Sequence, residues 1–196
     1  MTAPIHKPSP RPLNDAERRE LLAIVAARSF RRGLFKLSSG AESHLYFNLK
    51  PTMMNPRGAY LSARAFLDIL GEEEADYVGG LEMGAVPIIG AVAAVGESEG
   101  RPVKSFFVRK QAKDHGTRDL VEGLGPDETL AGQRVVAADD VATSGASIWR
   151  AVEAARAAGA RVEAALVLVN RDEGADALLA EHGVRLRSVF HASQFA

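Results

Sequence analysis

Between residues 77 and 190 short apolar runs alternate with segments of helical period, and few folds accommodate that order. Tyr77–Gly80, Lys104–Arg109, Arg134–Ala138, Val162–Val169 and Val184–Phe190 have the length and β-branched content of buried strands. Val86–Glu97, Gly145–Ala158 and Ala175–Glu181 read as helices, the second stopped by Gly159. Strands that are apolar on both faces must be covered on both faces, and strand–helix–strand connections run neighbouring strands parallel. The pattern predicts an α/β fold: a mostly parallel central sheet flanked by helices.

The N-terminal quarter follows another rhythm. Four of the nine prolines (Pro4, Pro8, Pro10, Pro12) fall in residues 1–13, which read as an extended arm. Asn14 and Glu17 have capping-box spacing, so a helix is expected through about Ala27 with Leu21, Leu22 and Val25 inward. Residues 37–50 read as strand, turn, strand, with the turn at Ser38-Ser39-Gly40. There Leu45, Phe47 and Leu49 alternate with Tyr46, Asn48 and Lys50, the period of a half-buried strand. Asn55-Pro56 opens a further helix to about Leu70, with Leu61, Ala65 and Ile69 on one face. Residues 110–123 are polar, broken by glycine and weakly periodic.

Composition then removes whole classes of function. The 196 residues suit one domain spanning 1–196. With 24 Lys plus Arg against 25 acids, the net charge of −1 argues against a nucleic-acid partner held by bulk positive charge. There is no cysteine, hence no disulfide frame, thiolate metal site or cysteine nucleophile. The longest uncharged apolar run, Ala85 to Val95, covers 11 residues, against roughly 20 for a membrane span. No apolar leader segment precedes the first helix, so a cytoplasmic protein without a membrane partner is expected. The dinucleotide fingerprint is missing, and Ala85 stands where a Walker loop needs lysine after Gly79 and Gly84. Neither a metalloprotease nor a nucleophile-elbow signature occurs.

Residues 135–147, VVAADDVATSGAS, carry the strongest chemical signal. An apolar strand ends in adjacent carboxylates, Asp139 and Asp140, followed by small residues and a helix. Strand carboxyl ends in open α/β sheets face the ligand crevice. Small residues let backbone N–H groups approach an anion, and a helix N-terminus adds its positive end. Thr143, Ser144 and Ser147 bring hydroxyls suited to phosphate oxygens. The two acids suit the vicinal hydroxyls of a ribose, or a hydrated Mg²⁺.

This stretch resembles the 5-phosphoribosyl 1-pyrophosphate (PRPP) motif of the type I phosphoribosyltransferases. The resemblance implies that Asp139 and Asp140 contact the ribose. The segment Val141, Ala142, Thr143, Ser144, Gly145, Ala146 and Ser147 would then wrap the 5′-phosphate. It also implies the type I fold, with a small hood built from about residues 14–50 and the C-terminal end.

A second segment, FFVRKQAKDHGTRDLVEG (106–123), crowds Arg109, Lys110, Lys113, His115 and Arg118 just beyond an apolar strand end. Cations there suit a leaving pyrophosphate, which gains charge in the transition state. F-F-V-R-K-x-x-K-x-H-G is similar to the catalytic loop of the orotate phosphoribosyltransferases. In that family the loop serves the neighbouring subunit of a homodimer, so Arg109, Lys110, Lys113 and His115 would bind PRPP across the interface. Lys113 and His115, with Asp139 and Asp140, are the catalytic candidates.

Orotate is a planar ring with a carboxylate. The family resemblance gives the carboxylate to Arg171 in N-R-D-E-G, assigns Thr143 to both ligands, and makes Tyr46 or Phe47 the wall that stacks on the base. Alternation allows only one of these two rings to face the crevice. Mg²⁺ would be held mainly by PRPP, with water linking it to Asp139 or Asp140. Some branches of the family carry lysines where this chain has Ser38 and Gly84, and Lys50 is the candidate to replace them. Two rivals share the phosphate motif: a transferase for a purine base, and a PRPP-sensing regulator without catalysis. Arg171 and the basic loop favour an acidic pyrimidine, and the charge and length leave little room for a nucleic-acid face. An appended decarboxylase domain is not expected within 196 residues.

Overall fold

The computed structural model describes residues 11–36, 42–111 and 120–195. Its first helix, α1 (Asp15–Ser29), starts where the capping box requires. The Asn14 side chain accepts from the Glu17 N–H at 2.9 Å, and Glu17 accepts from the Asn14 N–H at 3.1 Å. Leu21 and Val25 are buried, with Leu22 packed half-buried beside them.

A two-stranded antiparallel hairpin follows, β1 (Phe30–Lys36) and β2 (Glu42–Phe47). The first strand therefore lies upstream of the position expected from residues 37–50. Arg31, Arg32 and Gly33 interrupt its apolar alternation, which hides it in the sequence. The predicted turn at Ser38–Gly40 lies outside the described residues. A single helical turn, α2 (Lys50–Met53), precedes α3 (Pro56–Glu72), whose N-cap Asn55 accepts from the Gly58 N–H at 3.0 Å.

The central sheet has six strands: β3 (Tyr77–Leu81), β4 (Lys104–Val108), β5 (Val121–Glu122), β6 (Arg134–Ala142), β7 (Arg161–Asn170) and β8 (Arg185–His191). They lie in the order β5-β4-β3-β6-β7-β8. All neighbours are parallel except β5, which turns back along β4. From β3 the chain passes through α4 (Val86–Ser98) to β4 on one side. From β6 it passes through α5 (Ala146–Ala157), β7 and α6 (Ala175–Glu181) to β8 on the other. The direction of winding reverses between β3 and β6, and at such a switch point the carboxyl ends of the strands open a crevice.

Alternation along the strands builds two cores. Val136, Ala138, Ala164, Leu166 and Leu168 pack with α1, α3 and α4. Val135, Ala137, Ala165 and Val167 pack with Ile148 and Val152 of α5 and Leu179 of α6. The hairpin joins the first core through aromatic rings. Phe47 meets Phe30 at 5.0 Å and Phe195 at 5.3 Å, and Phe195 meets Phe190 at 5.9 Å. Phe195 belongs to a closing 3₁₀ turn, Ala192–Phe195.

The end of the proline arm is tied down. Arg64, with 2% of its side chain exposed, pairs with Glu17 at 2.6 Å and Glu99 at 3.0 Å and donates to the Arg11 carbonyl at 2.7 Å. The Leu13 N–H donates to Asp68 at 2.7 Å. Residues 1–10 lie outside the described residues.

Candidate active site

Asp139 and Asp140 sit at the switch point, but not beyond the strand. β6 continues through them to Ala142, paired with β7 at Asp139↔Val167, Val141↔Val169 and Ala142↔Asn170. This corrects the expected strand end at Ala138. Val141 and Ala142, read from the sequence as loop, are still sheet, because the partner β7 also runs on. The turn itself is Thr143–Gly145, and α5 begins at Ala146. Gly145 takes φ +83°, a left-handed conformation that glycine adopts freely.

Adjacent residues on a strand start toward opposite sides of the sheet, yet the two carboxyls here meet each other and both face Gly84. Asp139 continues the series Val135, Ala137 toward α5, where the Ser147 hydroxyl donates to it at 2.7 Å. Asp140 continues the series Val136, Ala138 toward the hood, where Lys50 lies. Each carboxylate also caps backbone. The Asp140 N–H donates to Asp139 at 2.9 Å, and the Val141 N–H donates to Asp140 at 2.9 Å. Ser147, expected to face phosphate, thus serves the carboxylate beside it; an acid that is 5% exposed needs donors.

Burial, then the neighbouring charge of Asp140, pushes the Asp139 carboxyl up to about 7. Burial also raises the Asp140 carboxyl, while the charge of Lys50 works against that rise. Burial thus disfavours charge on both members of the pair.

A cleft of about 360 Å³ opens on these acids. Its walls include Phe47 and Lys50 from the hood, Glu82, Met83 and Gly84 from the β3–α4 loop, and Lys110 beyond β4. The loop backbone approaches the carboxylates closely. A Cβ on Gly84 would lie 2.3 Å from Asp139 Oδ1 and 3.0 Å from Asp140 Oδ1. The Glu82–Met83 peptide is cis.

The other predicted residues divide. Phe47, 8% exposed, faces the core and the cleft, whereas Tyr46, 39% exposed, turns away and stacks on Phe35 at 5.1 Å. Arg171 is buried just past β7, donating to the Leu45 carbonyl at 3.2 Å and to Glu173 at 2.7 Å. It ties the hairpin to the end of β7 without lining the cleft. Arg109 points at the Gln111 carbonyl, 3.2 Å away, and Glu122, 3.9 Å away. Thr143 and Ser144 form the turn, with Ala146 opening α5. Lys113, His115 and Arg118 lie outside the described residues.

Three residues outside the predicted site set brace it. Glu82 accepts from the Lys110 N–H at 2.8 Å, and Arg150 donates to the Lys110 carbonyl at 3.0 Å, fixing the root of the basic loop from both sides. His191 Nδ1 lies 2.8 Å from Asp172, bracing the turn that carries Arg171. Arg150 and His191 carry no signal in the sequence, being single polar residues in ordinary surroundings.

Comparison with known proteins agrees with this geometry. The phosphoribosyl transferase domain family matches residues 54–186. An orotate phosphoribosyltransferase of Bradyrhizobium sp. (strain ORS 278) is 49% identical over 180 residues, 92% of this chain and 97% of the relative. The fold is similar to that of Mycobacterium tuberculosis H37Rv orotate phosphoribosyltransferase in complex with Fe(III) dicitrate, with a TM-score of 0.79 and 33% identity over 92% of this chain and 99% of the other. The same enzyme in complex with PRPP gives a TM-score of 0.75 at 27% identity, covering 94% of each chain. An acid pair at the switch point, a small-residue turn behind it and these relatives lead to one conclusion: the chain belongs to the phosphoribosyl transferase family, and within it to the orotate phosphoribosyltransferases.

Proposed function

We propose that the chain catalyses Mg²⁺-dependent transfer of the 5-phosphoribosyl group from PRPP to N1 of orotate, releasing pyrophosphate and forming orotidine 5′-phosphate for pyrimidine synthesis. The observation that carries the site assignment is the Asp139–Asp140 pair, placed beside the Thr143–Gly145 turn at the mouth of the cleft. Asp139 and Asp140 accept from the ribose hydroxyls. The N–H groups at the start of α5 and the hydroxyls of Thr143 and Ser144 hold the 5′-phosphate. Phe47 walls the base, and Arg171 takes the carboxylate by exchanging its Glu173 partner for the ligand. Of the two rings considered, Tyr46 is set aside, since it stacks on Phe35.

N1 displaces pyrophosphate at the anomeric carbon with inversion through an oxocarbenium-like transition state. Charge on the acid pair favours the developing cation. Lys113 and His115 meet the departing pyrophosphate, with Arg109 and Lys110 completing the cationic set. Mg²⁺ fits this donor set, because it takes one or two carboxylates beside phosphate oxygens, and Asp139 and Asp140 offer two. When bound with PRPP it neutralises charge on the leaving group.

The reading includes a homodimer whose basic loop serves the partner's cleft. Phosphorylated substrates do not cross membranes unaided, so we read the enzyme as cytoplasmic. Among the described residues, no helix is long and apolar enough to span a bilayer.

The test is pyrophosphate release with PRPP, Mg²⁺ and a panel of bases. Turnover is expected with orotate alone; adenine or hypoxanthine as the preferred acceptor would overturn the base assignment. Mixing Lys113→Ala with Asp140→Asn subunits should restore activity through one intact site per heterodimer. Heterodimers without activity would refute the shared site.

A further inference from the structure

The cleft holds one cation to which the mechanism above gives no role. Lys50 shares it with Phe47, Gly84, Lys110 and the two aspartates. We propose that Lys50 binds the anomeric diphosphate of PRPP from within its own subunit, a proposal that rests on the phosphoribosyltransferase reading and deepens it.

Three observations support this. First, the root of Lys50 is fixed while its head is exposed. The residues around it, Leu49, Thr52 and Met53, are buried. The Thr52 hydroxyl lies 2.7 Å from that of Ser29, and Arg28 donates to the Pro51 carbonyl at 3.1 Å. So constrained a turn keeps the lysine stem rooted beside the cleft.

Second, a diphosphate entering beside two carboxylates needs a counter-charge. Lys50 already acts on Asp140, opposing the effect of its burial. Third, the loop facing the acids has no room for a cation of its own. A side chain at Gly84 would collide with both carboxylates, at 2.3 and 3.0 Å from its first carbon. Lys110 is the other described cation on the cleft wall, and it stands at the root of the basic loop, its N–H held by Glu82 and its carbonyl by Arg150. Lys50 therefore supplies a charge that belongs to the hood rather than to that loop. Arg171, held at the Leu45 carbonyl, is the cation assigned to orotate, so the two substrates depend on different residues.

The experiment compares wild type, Lys50→Met and Lys50→Arg in steady-state kinetics and in calorimetry with PRPP, Mg²⁺-pyrophosphate and ribose 5-phosphate. Lys50→Met should raise KM for PRPP about 10-fold or more, the scale of one lost hydrogen bond to a charged group. It should weaken pyrophosphate binding to a similar degree, leaving KM for orotate and Kd for ribose 5-phosphate within about twofold. Lys50→Arg should recover most of the PRPP affinity. An unchanged KM for PRPP overturns the proposal, and so does an equal loss for ribose 5-phosphate, which would place the effect away from the diphosphate. A wild-type chain that binds no PRPP overturns the family-based mechanism as well, which separates the two failures.

Discussion

Glu17 and Asp139 are both largely buried carboxylates, and the protein treats them in opposite ways. Burial alone would push both up. At Glu17 the hydrogen bonds from Arg11 and the Asn14 N–H, with the charges of Arg64 and Arg11, outweigh burial and bring the carboxyl down to about 2. At Asp139 burial is reinforced by the negative neighbour Asp140, and the carboxyl rises to about 7. The first acid is answered within the fold and anchors the N-terminal arm to α3. The second meets the Ser147 hydroxyl and the Asp140 N–H but no cation among the described residues. Neutralised charge marks structure here, and charge left under-compensated marks function.

The largest effect should come from breaking the answered side. Arg64→Ala leaves Glu17 and Glu99 without their buried partner. It should lower the unfolding free energy by ~3–5 kcal/mol in urea denaturation, with both KM values unchanged in the folded fraction. If stability held instead, the network around Glu17 would be ornamental.

Breaking the other side should reverse the pattern. Asp140→Asn is expected to lower kcat/KM for PRPP by ~10²-fold without loss of thermal stability, because it removes a charge that burial disfavours. A comparable loss of kcat is expected for Lys113→Ala, and a drop under threefold would count against the basic loop.

pH sharpens the comparison further. Asp139 has a folded pKa above its unfolded value, so the folded state binds the extra proton between about pH 4 and 7. Stability should therefore fall as pH rises through that window. Glu17, depressed to about 2, stabilises the fold above the ordinary carboxylate range and loses that contribution as pH falls toward 2. Asp139→Asn should raise the Tm at pH 8 by a few degrees while reducing activity, and it should flatten the pH dependence above pH 5. A Tm unchanged at pH 8 would show that the acid pair is better solvated than its surroundings suggest.

The smallest effect belongs to the rim. Arg187 pairs with Glu73 at 2.7 Å and Glu72 at 2.6 Å, partly in solvent. Its replacement by alanine should cost about 1 kcal/mol or less, with no change in kinetics.

Much of the α/β frame was legible because its strands are apolar on both faces, and two of the helices carry side-chain caps. The helices from Asn14 and Asn55 begin where their side chains accept the first free N–H groups. The misreadings have local causes. β1 hides behind Arg31 and Arg32, which face solvent. The turn of α2 is four residues long and contains Pro51, so it has no period to detect. β6 outruns its apolar stretch because pairing to β7 does not depend on side-chain polarity.

The site was partly legible for the same reasons. Asp139, Asp140 and the small-residue turn form one contiguous segment, so the sequence keeps them together. The contributions of Phe47, Lys50 and Glu82 depend on how the hairpin and the β3–α4 loop fold over the sheet, which no short window records. Arg171 could be named only through the family, since nothing around it sets it apart from a solvated arginine.

The tight seam between Gly84 and the acid pair has a consequence for how this enzyme could be altered. That wall has no spare volume, so adding atoms there would dislodge Asp139 and Asp140 themselves. The hairpin is attached differently, through aromatic packing and arginine–carbonyl bonds from Arg171 to Leu45 and from Arg32 to Phe195, and its residues can vary without disturbing the sheet. Changes in leaving-group or base preference, whether natural or engineered, should accumulate on the hood while the seam stays fixed.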